Sequence, residues 1–325
     1  MRSRIAGTGA YVPDRVMTNA DLERLVATSD AWIVERTGIR ERHIAAPGEA
    51  CSDLGVRAAE RALAAAGIEP ADLDLILVAT CTGDQPLPST ACLLQARLGA
   101  SRAAACDLSA ACCGFVYALS VADAYVRTGS RYVLVVGAEV MSSITDWSDR
   151  GTCILFGDGA GAVVLGPSST DHGILSTHLH SDGCLADLIC VPGGGSRIPP
   201  SEKMLSEGAQ YLKMKGNETY KVAIKTLEEV ARDTLAANGV AIEELDLYVP
   251  HQANVRIIRA VAERLGLPME KVFLNMERYG NTSAASIPLA LHEAVQAGRL
   301  KDGNLVMMGA FGGGLTWASA LVRWG

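Results

Sequence analysis

Leu63-Ala64-Ala65-Ala66-Gly67-Ile68, followed by Asp72-Leu73-Asp74-Leu75-Ile76-Leu77, returns 172 positions later as Leu235-Ala236-Ala237-Asn238-Gly239-Val240 and Glu244-Leu245-Asp246-Leu247-Tyr248-Val249. The same offset lays Ala118-Leu119 on Ala290-Leu291 and Val135-Val136-Gly137-Ala138 on Met307-Met308-Gly309-Ala310, without a gap. A duplication of this length describes two copies of one α/β unit. Such copies commonly pack about a pseudo-twofold axis, so that equivalent ends face each other and residues far apart in sequence share one site.

A chain of 325 residues has the length of about two domains. They are placed here at 1–171 and 172–325, with the junction in the turn-forming cluster Gly166-Pro167-Ser168-Ser169-Thr170-Asp171. Low aromatic content (5%) and abundant Ala and Gly favour close packing of helices on sheets. The net charge is −7 and no block of like charges occurs, which excludes a nucleic-acid tail and a polybasic membrane patch. No run approaches the roughly 18 apolar residues of a membrane span. The nine cysteines are odd in number, all lie before residue 191 and form no C-x-x-C pair. That pattern argues against a zinc ribbon or a disulfide framework and for a reducing cytoplasm.

Strand-like apolar runs lie at 73–81, 132–137, 160–165, 245–249 and 305–309, and the N-terminal Ile5-Ala6-Gly7-Thr8-Gly9-Ala10-Tyr11-Val12-Pro13 reads as a first strand and turn. Apolar recurrence at three and four marks helices at 53–66, 89–98, 113–127, 220–237, 255–265 and 284–297. The alternation predicts an α/β fold with mostly parallel inner sheets covered by helices. An irregular stretch from Pro192 to Glu207 reads equally as a surface excursion or as the wall of a substrate entrance.

Cys112 heads the run Cys112-Cys113-Gly114-Phe115-Val116-Tyr117-Ala118-Leu119. A helix start offers unpaired N–H groups and partial positive charge, which favour thiolate and predict a lowered pKa. The alternative is inert packing, the usual fate of a free cysteine. His251, in Pro250-His251-Gln252-Ala253-Asn254, follows a strand, where a loop at the sheet edge presents side chains; as a solvated turn residue it would do nothing. Asn281, in Gly280-Asn281-Thr282-Ser283, reads alone as a helix cap, but the offset maps Cys112 onto Ala284, three residues away. The duplication therefore favours a shared site. No histidine cluster has metal-ligand spacing, and the Gly-rich segments 156–162 and 309–315 lack the Gly-Lys-Ser/Thr of a P-loop. Their N–H groups are compatible with an oxyanion hole.

Four motifs in order, Ala110-Ala111-Cys112-x-Gly114-Phe115, Pro250-His251-Gln252-Ala253-Asn254, Gly280-Asn281-Thr282-Ser283-Ala284-Ala285-Ser286 and Phe311-Gly312-Gly313-Gly314-x-Thr316-Trp317, resemble β-ketoacyl-acyl carrier protein synthase III. Trp32-Ile33-x-x-Arg36-Thr37-Gly38-Ile39, Asp149-Arg150-Gly151-Thr152 and Met214-x-Gly216-Asn217-Glu218 extend the likeness over essentially the whole chain. The resemblance implies a thiolase-like fold, five αβαβα layers from two duplicated halves, usually as a homodimer. It implies Cys112 as acyl-accepting nucleophile, with His251 and Asn281 completing a triad and the N–H groups of Cys112 and Gly313 as the oxyanion hole. Acyl-coenzyme A and malonyl-acyl carrier protein would be the substrates, with no metal or redox cofactor.

The same resemblance places Trp32 against the coenzyme A adenine, with Arg36, Thr37, Arg150 and Asn217 near the nucleotide or the pantetheine tunnel. It puts Leu87 at the acyl pocket of the partner subunit, Cys113 where Ala is common, and Tyr220 where Phe is common. Arg256 and Arg259, with Lys221 and the neighbouring Lys213 and Lys215, would dock the acidic carrier protein; a merely solvated helix face is the other reading. Two enzyme alternatives remain in view: an acyltransferase or condensing enzyme of secondary metabolism, and a papain-like hydrolase, against which the duplication and the missing Cys-Gly-Ser-Cys-Trp context count. An inactive scaffold subunit would have lost one of the three triad residues, and all are present.

Overall fold

The computed structural model describes residues 2–325. Nine strands carry the architecture: β1 (Arg2–Tyr11), β2 (Leu75–Ala79), β3 (Ala104–Leu108), β4 (Val133–Glu139), β5 (Gly159–Ser168), β6 (Gly173–Ser181), β7 (Leu247–Pro250), β8 (Leu305–Gly312) and β9 (Thr316–Arg323). Six helices cover them: α1 (Cys51–Ala66), α2 (Thr90–Leu98), α3 (Gly114–Arg127), α4 (Gly216–Asn238), α5 (Val255–Leu265) and α6 (Ser286–Gln296).

The 172-residue offset governs where elements begin. It carries the start of β2 onto β7, of β4 onto β8, and of α3 onto α6. It also carries the single turn Ala111–Cys113 onto Ser283–Ala285. Helices α1 and α4 end at Gly67 and Gly239, again 172 apart, both in the left-handed conformation (φ 66° and 63°) that glycine adopts without a Cβ clash. One sheet runs β1-β5-β4-β2-β3 and the other β7-β8-β9-β6. The second repeats the first without β3.

Both sheets are mixed, which corrects the expectation of mostly parallel ones. Only β2 with β3, β2 with β4, and β7 with β8 are parallel; β5 and β9 turn back antiparallel and bring in β1 and β6. The connection from β8 to β9 is only residues 313–315, too short for the crossover helix that a parallel neighbour needs, whereas the connection from β4 to β5, residues 140–158, is longer and holds only short helical turns.

Alternate residues of each inner strand face different layers, as a period of two requires. Leu75, Leu77, Val133, Val135, Val306 and Met308 point to a central core shared with α3 and α6, while Ile76, Val78, Leu134 and Val136 face outward to α1 and α2. Across the second sheet, Leu305, Met307 and Tyr248 face a third core under α4 and α5. The layers are thus α1/α2, sheet, α3/α6, sheet, α4/α5: the five αβαβα layers expected.

The central layer is closed by small residues. A Cβ on Gly137 of β4 would stand 2.3 Å from the carbonyl oxygen of Ala284, at the start of α6. Gly137→Ala should therefore force backbone apart and lower stability by about 1–3 kcal/mol, measured as the denaturant midpoint. An unchanged midpoint would mean that this contact yields freely.

Candidate active site

Cys112 lies in the turn Ala111–Cys113 that feeds α3, and the turn Ser283–Ala285 that feeds α6 packs against it. Each turn is entered by a residue with positive φ, Ala111 at 45° and Ser283 at 48°, again 172 apart. A non-glycine residue there is strained, by about 1–2 kcal/mol. The strain is matched by close packing, since a Cβ on Gly312 would lie 2.8 Å from the Cys112 nitrogen. Gly312 lets the Gly-rich loop close over Cys112.

His251 sits just beyond β7, its N–H bonded to the Gly309 carbonyl (2.8 Å). Gln252 pins this loop by donating to the Pro250 and Phe273 carbonyls (2.8 and 3.0 Å) and accepting from the Asn275 N–H (3.0 Å). Nδ1 of His251 is 2.6 Å from the Ser286 hydroxyl, which leaves Nε2 for the cavity. Asn281 accepts the Ser283 N–H through its side-chain oxygen (2.9 Å) and is held on the backbone by Leu155 and Gly157. No partner for its Nδ2 amide occurs among the described residues.

Cys112, His251, Asn281 and Gly313 all line one cavity of about 330 Å³. Trp32, Arg36, Thr37, Asn217, Tyr220 and Arg256 line it as well. Arg36, Asn217 and Arg256 are exposed, so they mark its mouth. Arg150 does not line it, yet its guanidinium stands 4.8 Å from the Trp32 ring centre and that of Arg36 stands at 4.9 Å. The Thr37 hydroxyl is committed locally, donating to the Ile33 carbonyl (2.7 Å) and accepting the Ile39 N–H (3.0 Å).

Leu87 is 84% exposed and outside this cavity. Lys221 and Arg259 are also exposed and outside it, and neither they nor Arg256 has a carboxylate partner among the described residues. Lys213 and Lys215, by contrast, are paired with Asp146 (3.8 Å) and Asp187 (2.5 Å).

Burial decides the charge states, and it overturns the expected lowering of the Cys112 pKa. Removal from water pushes this thiol up to about 11, against the smaller downward pull of the Ser283 hydroxyl and its own backbone N–H. The same cause pushes His251 down to about 4, so the imidazole is neutral at physiological pH. Cys113 is fully buried, its thiol donating to the Thr316 carbonyl (3.3 Å), and burial raises its pKa too.

Three neighbours of the thiol escaped sequence reasoning. Glu139 is fully buried at the end of β4 and accepts from Thr80 (3.2 Å), from the Cys81 N–H (3.1 Å) and thiol (3.3 Å), and from Thr82. Burial raises its pKa. Cys81 turns its exposed face into the cavity. The buried Ser283 hydroxyl, without a well-formed hydrogen bond, lies against both thiols and Glu139. The duplication offered one clue, since Ser283 is the counterpart of Ala111.

Two family models match the chain: 3-oxoacyl-[acyl-carrier-protein] synthase III over residues 106–183, and the C-terminal part of the same family over residues 235–324. A curated β-ketoacyl-[acyl-carrier-protein] synthase III of Alkalilimnicola ehrlichii is 56% identical over 324 residues, covering 99% of each chain. This chain belongs to the β-ketoacyl-acyl carrier protein synthase III family. The crystal structure of the 3-oxoacyl-[acyl-carrier-protein] synthase III of Aquifex aeolicus is similar with a TM-score of 0.93 and 50% identity, over 99% of this chain and 100% of that one. The priming β-ketosynthase of the R1128 polyketide pathway is similar with a TM-score of 0.92 and 38% identity, over 99% and 96%. Members are condensing acyltransferases of thiolase-like fold, and this chain is one. Among the described residues no group of three or more His, Cys, Asp or Glu is placed to hold a metal, and no helix is long and apolar enough to cross a membrane.

With the thiol pushed up to about 11, thiolate is scarce at neutral pH. Alkylation of Cys112 by iodoacetamide, followed by peptide mass, should rise about tenfold per pH unit from near pH 7 to pH 10. A plateau below pH 8 would show the helix start outweighing burial.

Proposed function

We propose that this family member condenses an acyl-coenzyme A primer, acetyl or short and branched, with malonyl-acyl carrier protein, giving 3-oxoacyl-acyl carrier protein, carbon dioxide and coenzyme A. The observation that carries the reading is the meeting of Cys112, His251 and Asn281 in one cavity whose mouth holds Trp32 with two arginines close to its ring. In the first step Cys112 sulfur attacks the primer carbonyl, the carbon–sulfur bond to coenzyme A breaks, and the thiol proton leaves on coenzyme A. The N–H groups of Cys112 and Gly313 hold the oxyanion.

In the second step malonyl-carrier protein loses carbon dioxide, and the thioester oxygen of the resulting enolate takes hydrogen bonds from His251 Nε2 and Asn281 Nδ2. The enolate carbon attacks the acyl-cysteine, the Cys112 sulfur leaves as thiolate, and a solvent proton restores the thiol. Neutral donors suit this step, because a buried imidazole with a pKa of about 4 stabilises negative charge without carrying charge at rest. Every bond change is a two-electron acyl transfer or decarboxylation, so the scheme calls on no metal or redox cofactor.

Trp32 would stack on the adenine, with Arg36 and Arg150 as its cationic neighbours and Thr37 and Asn217 along the tunnel. Tyr220 is the aromatic wall beneath Arg256, whose guanidinium lies 5.5 Å from the ring. Arg256, Arg259 and Lys221 form the docking patch for an acidic carrier protein on a chain that is otherwise net negative. A homodimer completes the picture: Leu87, exposed here, would enter the partner's acyl pocket. The halves 1–171 and 172–325 act as units supplying the nucleophile and the two donors, in a cytoplasmic enzyme that starts fatty acid synthesis.

The deciding experiment is intact-mass spectrometry of malonyl-carrier protein incubated with the enzyme and a panel of acyl-coenzyme A donors. A β-ketoacyl-carrier product should appear with the wild type and not with Cys112→Ser. Acylated enzyme with an unchanged carrier would sink the condensation reading and favour transfer to oxygen or nitrogen. Asn281→Ala should slow decarboxylation about 100-fold or more while leaving Cys112 acylation nearly intact, read by single-turnover kinetics. Arg259→Glu with Lys221→Glu should raise KM for the carrier protein, more so at low salt, and leave KM for the coenzyme A substrate alone. Equal effects on both substrates would place the patch elsewhere.

A further inference from the structure

We infer that the Ser286 hydroxyl sets the ring tautomer of His251, donating to Nδ1 and thereby keeping the imidazole proton on Nε2, toward the cavity. Ser286 is a positioning residue, and the inference rests on the reading of His251 as a hydrogen-bond donor given above.

The case is a count of protons. His251 is buried and neutral, so its ring carries one proton. Its Nδ1 lies 2.6 Å from Ser286 Oγ. That oxygen also receives the Gln252 N–H, at 3.4 Å. If Nδ1 held the ring proton, Oγ would face two N–H donors, and its own proton would have no acceptor among the described residues. Leaving a buried donor unmade is costly, and nearly all buried polar groups avoid it. With the hydroxyl donating to Nδ1, all three groups are satisfied and the ring proton stands on Nε2.

The duplication isolates this contact as an addition. By the offset, His251 corresponds to Ala79 and Ser286 to Gly114. In the first half that pair is an apolar touch, a Cβ on Gly114 falling 3.1 Å from the Ala79 Cβ. The second half keeps the same juxtaposition of strand end and helix start and places an imidazole and a hydroxyl in it. One geometry thus packs in one copy and orients a proton in the other.

The test is nitrogen-15 NMR of the full chain labelled at histidine, near neutral pH, with His251 assigned from the spectrum of His251→Asn. The wild type should show Nε2 protonated and Nδ1 bare. Ser286→Ala should yield a mixture or the other tautomer, and Ser286→Thr, which keeps the hydroxyl, should restore the wild-type pattern. In parallel, Ser286→Ala should slow malonyl-carrier decarboxylation by about tenfold or more, with Cys112 acylation within about twofold of wild type and the Thr variant recovering. A wild-type ring protonated on Nδ1, or a tautomer unmoved by Ser286→Ala, overturns the inference. A tautomer that moves with no change in decarboxylation upholds it and counts instead against His251 as donor to the enolate. If Ser286→Ala does not fold, the wild-type and Thr spectra decide.

Discussion

Everything else in the molecule depends on two helix starts buried against each other between two sheets. Gly137 admits the Ala284 carbonyl, Gly114 lies in contact distance of Ala284, and Gly312 admits Cys112. At Gly137 and Gly312 an added Cβ would collide with backbone, so there the central layer is set by backbone approaching backbone. Residues Ala111 and Ser283 take strained conformations to make the turn, and such strain persists only where surrounding packing over-determines it. The same packing that strains the turn presents Cys112 to the cavity.

Burial at this centre also governs the chemistry. It holds Cys112 as a thiol and His251 as a neutral imidazole, and it raises the pKa of the Glu139 carboxyl, which is wrapped by four donors. A site of this kind acts through fixed dipoles rather than through resident charge. Preorganised donors are worth more in a water-poor cavity than in solution, since they need not reorganise as charge develops. Fixed charge stands at the mouth instead, where Arg36, Arg150 and Arg256 remain in contact with water and the cost of burying ions does not arise.

Duplication supplies one scaffold twice, and the two copies have divided the work. Equivalent turns carry Cys112 in one half and Ala284 in the other; equivalent strand ends carry Ala79 and His251. The equivalent turns Ala111–Cys113 and Ser283–Ala285 pack against each other, so residues of both halves line one cavity. The unmatched strand β3 adds an edge to the first sheet only.

The amino-acid sequence alone determined the repeat, the helices within a few residues, the inner strands that lie in apolar runs, and three residues, Cys112, His251 and Asn281, that meet in one cavity. The repeat, helices and strands are carried by periodicity and spacing; the grouping of the three residues was implied by the family motifs that hold them. Strand direction was not legible: β9 and β6 join their sheet through antiparallel register, and pairing partners are non-local choices. Glu139 and Cys81 escaped notice because no motif near them marks them, and Ser283 and Ser286, though inside a motif, because only the packed structure shows what their hydroxyls touch. The sign of the Cys112 shift was misjudged for the same reason, since a helix start is visible in sequence and desolvation is not. Sequence thus determined which groups are present and on which elements. The tertiary structure decided their protonation and partners, because burial and hydrogen-bond counting belong to packed neighbours rather than to the chain.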